Sequence, residues 1–208
     1  MTDEDPQLRR ERQIAFLRGL YERHLAQLRE SRSEAPLALA QRVHGEIDAV
    51  IARDRSADPR SMAIRCSRSC SHCCRGPVEI WAQEAALLVE HLRAAGLPFD
   101  RERLERQSRH DVDNWREQPV ADRACVFLGE DGACTVYAVR PNACRKLLVT
   151  SDPQHCDIPR GEYERIERWF SWEAEMIETA ALETFGMVMM PLALLNALRD
   201  AGVAGSSG

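Results

Sequence analysis

Apolar side chains recur at Ile14, Leu17, Tyr21, Leu25 and Leu28, with charged residues between them. The steps of three and four are those of one helix face, so residues 6–30 are expected to form an amphipathic helix. A second stripe at Leu39, Val43, Ile47, Val50 and Ile51 predicts another helix. A polar break over Ser31–Pro36 separates the two, with a start signal at Ser33. Two helices joined by a short loop read as an antiparallel hairpin. Packing on the residues that follow is the simpler use for it; a dimerisation arm is the alternative.

Ser56–Arg60, with Pro59, reads as a helix stop or linker. Periodicity returns at Ile80, Ala85, Leu88 and Leu92, and Gly96 and Pro98 close a helix over 79–95. Asp100 is a cap for a polar, mostly exposed helix running to about Gln118. Cys125-Val-Phe-Leu and Cys134-Thr-Val-Tyr are β-prone, and the Gly-Glu-Asp-Gly between them is turn chemistry. They predict a small β-hairpin with a cysteine opening each arm. Arg140-Pro141-Asn142 is a turn that delivers Cys144. Helices are expected over 160–184, with Trp169 and Trp172 in packing roles, and over Pro191–Arg199. A small, flexible tail follows from Gly202.

The expected fold is therefore mainly α with a small β-hairpin, its helices and loops gathered around a Cys-rich metal centre. Its parts are a helical hairpin over 1–60, a Cys-rich metal-binding domain over 61–160, C-terminal helices over 161–201 packing on it, and a tail over 202–208.

The 208-residue chain carries a net charge of −5 without a basic patch, which argues against a nucleic-acid surface. Its most apolar run, Met187–Leu198, is interrupted by Pro191 and Asn196 and is shorter than the roughly 20 residues a bilayer requires. The acidic start lacks the basic and apolar regions of a signal peptide. A cytoplasmic protein with no membrane partner is the expectation.

In a reducing cytosol, dense thiols point to metal rather than disulfides. Four of the eight cysteines fall at Cys66, Cys70, Cys73 and Cys74; the others are Cys125, Cys134, Cys144 and Cys156. All eight are candidate ligands. Arg60, Arg65, Arg68 and Arg75 surround the first group, and Arg140, Arg145 and Lys146 flank Cys144. Such cations offset thiolate charge and are expected to lower thiol pKa.

Cys70-x-x-Cys73 is a zinc-knuckle spacing. Cys66-x3-Cys70-x2-Cys73 also places three thiolates around one loop, which suits a cuboidal cluster. Vicinal Cys73 and Cys74 are poorly placed to grip one metal atom together; one packs, or they serve different metals. A remote thiol must then complete the site and clamp the long gap to residue 125. The same spacing occurs in radical S-adenosylmethionine enzymes, but the large α/β barrel they need is missing. His72 and His155 are lesser candidates as nitrogen ligands. Glu79 and Glu84 read as first-turn carboxylates. There is no Walker loop, dinucleotide fingerprint, nucleophile elbow or HExxH.

Taken in order, Cys66-x3-Cys70-x2-Cys73-Cys74, Cys125-Val-Phe-Leu, Gly132-Ala-Cys134-Thr-Val-Tyr137 and Arg140-Pro141-x-x-Cys144-Arg145 resemble the YkgJ-like CxxCxxCC family over about residues 62–158. Ser71 stands where that family often has glycine. The resemblance implies zinc or iron chelation. The reading favours a [4Fe–4S] cluster held by three local thiolates and one remote, with Zn2+ the alternative, in a redox-related protein with an unknown protein partner. Two further functions stay open: a structural zinc interaction module, and an accessory domain of a methyltransferase-type enzyme. Some relatives join this domain to protein-lysine methylation, but no Gly-rich adenosylmethionine loop is present here.

Overall fold

The computed structural model describes residues 5–156 and 166–202. Seven α-helices are found among them: α1 (Pro6–Glu30), α2 (Pro36–Ala57), α3 (Ala82–Ala95), α4 (Arg101–Gln107), α5 (Asn142–Lys146), α6 (Trp172–Phe185) and α7 (Met190–Asp200). Four strands of two residues each, β1 (Glu79–Ile80), β2 (Leu148–Val149), β3 (Arg168–Trp169) and β4 (Val188–Met189), form two antiparallel pairs. The protein is mainly α, as its periodicity predicts.

Helix α1 opens with Pro6 at its first position, and the Asp5 side chain accepts from the Gln7 amide. Only its second half packs. Leu20, Leu25 and Leu28 are buried, whereas Leu8, Ile14 and Phe16 face solvent. Helix α2 begins at Pro36 instead of near Ser33, because proline is preorganised for the first helical turn. It buries Leu39, Val43, His44, Ile47 and Ile51.

Both helices bear on α6, and α1 meets α6 more than it meets α2. Tyr21 donates to Glu183, and Arg23 and His24 both reach Glu173 at 3.1 Å. Trp81 stacks on Phe185 with ring centroids 5.1 Å apart, worth about 0.5–1.5 kcal/mol beyond area burial. This first core joins α1, α2, α6 and the start of α3. A second joins α3, α4 and α7 to Val126, Phe127 and Val136.

Helix α3 ends at Gly96, whose φ of 61° takes the left-handed conformation that glycine adopts without penalty. Helix α4 stops well short of Gln118. The Asp111 side chain accepts from the amides of Asp113 and Asn114, each at 3.0 Å, which offers the backbone a turn in place of the helical ladder. The helix is also less exposed than its polarity implies. Leu104 is fully buried, and buried Gln107 donates to the carbonyls of Asp122 and Ala124.

The expected hairpin is reduced to a single bridge, Leu128↔Cys134, with Gly129 N bonded to Ala133 O at 2.8 Å and Thr135 N to Phe127 O at 2.9 Å. Each arm then curls into a tight turn: Leu128 N bonds to Cys125 O and Tyr137 N to Cys134 O. The paired strands lie elsewhere. Glu79 pairs with Met189 and Leu148 with Trp169, so each pair ties the Cys-rich segment to the C-terminal helices. Trp169 is buried as expected, but Phe170 and Trp172 are exposed and stack on each other at 5.2 Å. The segment 160–165 of the expected helix and the tail 203–208 lie outside the described residues. No described helix is long and apolar enough to cross a membrane.

Candidate metal centre

The Cys-rich loop is anchored at its start by strand β2. Arg65 N donates to Val149 O at 2.8 Å, and the Cys66 thiol accepts from Val149 N at 3.1 Å while contacting Leu147 O at 3.5 Å. Cys70 N bonds to Ser67 O, and Cys74 N to Ser71 O, leading into a 3-10 turn over His72–Arg75. Ser71 has φ −117° and ψ 3°, a conformation open to any residue, so no glycine is needed there. Gly132, with φ 75°, presses its turn on this loop; an added Cβ would lie 3.7 Å from Ser71 Oγ. The far end is held by Trp115 Nε1, which donates to Arg75 O at 2.9 Å.

Three other segments bring the remaining thiols. The Cys125 amide donates to Cys74 O at 2.7 Å, joining loop and hairpin directly. Cys144 sits in α5, locked by Arg145, which reaches Asp48 at 2.5 Å and the carbonyls of Arg140 and Ala138. Cys156 ends a 3-10 turn over Pro153–Cys156 that packs on the His72–Arg75 turn, so His72 and His155 lie in facing turns.

All eight cysteines are free and half-buried. Seven of them, Cys66, Cys70, Cys73, Cys74, Cys125, Cys134 and Cys144, line one cavity of about 330 Å³. Among the described residues no three His, Cys, Asp or Glu side chains already converge as ligands of one ion. The thiols form walls, and ligation requires them to turn inward.

The arginines do not depress Cys66, Cys73, Cys125, Cys134, Cys144 or Cys156. Burial pushes Cys125 up to about 12, Cys156 up to about 11 and Cys144 well above the ordinary thiol range. Burial also raises Cys66 and Cys134, and Cys73 is raised first by donating its proton to the Cys74 sulfur. Neighbouring thiols add to these shifts, and Arg168, Arg140 and Arg103 oppose them more weakly. Desolvation outweighs the cations, so deprotonation must come with the metal.

One residue that spacing could not reveal also lines this cavity. The Arg123 side chain is 4% exposed, and its Nε has no hydrogen-bond partner among the described residues. The adjacent Asp122 carboxylate is taken by Arg106 at 3.3 Å. A buried polar nitrogen without a partner is costly, and a thiolate–metal centre in the cavity would supply negative charge near it. Both the donor set and this unpartnered Arg123 Nε therefore fit a thiolate-held metal. Arg140 lies 3.8 Å over the Tyr137 ring at the same wall, with Arg68 at 5.9 Å.

Residues 65–166 match the CxxCxxCC family, described as a "putative zinc- or iron-chelating domain". The family description agrees with metal binding by this segment. No curated protein and no solved structure matches the chain. Helices α1, α2, α6 and α7 lie outside the matched residues, yet they complete both cores around the matched segment.

A second feature, only partly legible in the sequence, sits behind Cys144. Buried Glu84 pairs with His44 at 3.0 Å, accepts from Asn142 N at 2.7 Å, and closes a capping box with the Trp81 amide. It is the first-turn carboxylate its position predicts, and it also ties α2 to α5 through α3.

Proposed function

We propose that this chain is a cytoplasmic metal-binding protein whose clustered cysteines hold an iron–sulfur cluster, [4Fe–4S] in preference to other types, in a redox-related role. The observation that carries this reading is the gathering of cysteines from separate segments on one cavity that also takes in Arg123, whose buried Nε lacks a partner. The volume of about 330 Å³ is roughly ten times the share of one liquid water, so a single ion would leave most of it unfilled. A cluster of metal and sulfide uses that space, and its thiolate ligands bring negative charge near Arg123. Free thiols throughout are in keeping with a reducing compartment.

Zinc is the second reading, favoured by the Cys70-x-x-Cys73 knuckle seated on a 3-10 turn. A four-thiolate zinc site is closed and structural, and would make this an interaction module. Anaerobic purification followed by iron, zinc and acid-labile sulfide analysis separates the two. Brown protein bleached by dithionite, with iron and sulfide in equal amounts, is the expected result. Colourless protein retaining zinc decides for the structural reading. Folded, metal-free protein with eight titratable thiols would sink both.

A further inference from the structure

Helix α1 is longer than its support. Its 25 residues span about 37 Å, whereas the 14 residues of α6 beside it span about 21 Å. The unsupported part is basic. Arg9, Arg10, Arg12 and Arg18 outnumber Asp5 and Glu11 there, on a chain of net charge −5. Where the covered part ends, a groove of about 430 Å³ opens between the two helices. Ile14 and Leu17 of α1 and Met176 of α6 give it an apolar lining, with Arg18 and Glu22 beside them.

Arg10, Ile14, Arg18 and Glu22 are spaced four apart, so they form one ridge along this side of α1. All four are exposed, Ile14 by 49%. The three charged members form no ion pair among the described residues. Along the chain the ridge runs cation, isoleucine, cation, anion. Laid antiparallel on a copy of itself, it brings Arg10 to Glu22 of the second copy. Ile14 then meets the aliphatic stem of Arg18, and each contact occurs twice by the two-fold relation. Parallel alignment instead sets Arg10 on Arg10 and Glu22 on Glu22, which repel. A second copy of this chain is thus the occupant that the charge pattern fits.

We propose that two copies of the protein associate antiparallel through this ridge, each closing the other's Ile14 groove. The contact takes in only residues 10–22 of each α1, about 20 Å of helix, so it belongs to the small, concentration-dependent class of interfaces. It does not depend on whether the thiols hold metal.

Sedimentation equilibrium of the full chain tests this, under reducing conditions that exclude intermolecular disulfides. A monomer–dimer equilibrium with a Kd in the micromolar range is expected. Ile14→Glu and Glu22→Arg should each weaken association at least about tenfold. Combining Arg10→Glu with Glu22→Arg exchanges the charges and should restore it to within about threefold of the unmutated chain. Phe16→Ser should leave it unchanged, because Phe16 lies about 160° around the helix from Ile14. All these positions are exposed, so each variant should keep the fold, followed by circular dichroism. A chain that stays monomeric at about 1 mM overturns the proposal. So does a dimer that survives Ile14→Glu, or one that the charge exchange fails to restore.

Discussion

The amide of Cys125 donates to the carbonyl of Cys74 at 2.7 Å, so the last cysteine of the loop and the first of the hairpin share a backbone hydrogen bond. The local cluster and the remote thiols are thereby joined before any metal is considered. Metal bound across this junction links occupancy to folding.

Replacing Cys144 by Ser tests that linkage. Cys144 belongs to the buried α5 wall, and Ser offers no thiolate. Metal content should fall, and the melting temperature should drop by roughly 5–10 °C, the size expected for a loss of about 2–3 kcal/mol in a chain of this length. Cys156→Ser, in a turn that does not line the cavity, should cost less stability where one centre forms and a comparable amount where there are two. Full metal retention and unchanged melting in the Cys144 variant would remove it from the ligand set.

Arg123→Met separates the two charge states of the cavity. Without metal, the substitution removes a buried cation whose Nε lacks a partner and should stabilise the fold by about 1–3 kcal/mol in urea titrations. With metal, it removes a counter-charge and should weaken affinity by about tenfold, or about 1.4 kcal/mol. Parallel shifts in both states would show that Arg123 does not sense the centre.

Glu84→Gln should destabilise the protein by about 3 kcal/mol, because it breaks a buried pair with His44 and weakens the cap on α3. Chemical denaturation measures the loss. A neutral outcome would mean that the pair contributes nothing net to the fold.

The thiols set opposite pH responses for the two forms. Cys125 and Cys156 are raised to about 12 and about 11 in the folded chain, above the value of about 8.5 for an unfolded thiol. Their contribution to the metal-free fold is complete below the unfolded value and is lost as pH rises through the folded ones. Urea midpoints of the metal-free protein should therefore be lower near pH 10 than near pH 7. The loaded protein should instead release metal on acidification, as protons compete for thiolates. Equal metal-free midpoints at the two pH values would contradict the burial of these thiols.

The long helices and cysteine blocks were legible because each is a local pattern. Leu39, Val43 and Ile47 repeat with the helical period, and Cys66 to Cys74 lie within one loop. Strands of two residues such as Leu148–Val149 have no period to detect, and they exist only because Arg168–Trp169 returns to meet them. The truncation of α4 depends on the Asp111 turn and on Gln107 reaching carbonyls beyond the helix. Arg123 could not be singled out in an Arg-rich chain, since its isolation is a property of the cavity and not of its neighbours in sequence. The exposure of Ile14 on an apparently sound stripe has a similar origin: α6 covers only the second half of α1.

That docking of α1 on α6 sets an order of events during synthesis. Helix α1 leaves the ribosome long before the segment that covers it. At 5–20 residues per second, its apolar face waits on the order of ten seconds for its partner. All eight cysteines emerge during that interval, ahead of α6. Metal capture by the nascent chain can thus precede closure of the first core, and the cell must deliver the metal on the timescale of translation for the two to occur in that sequence.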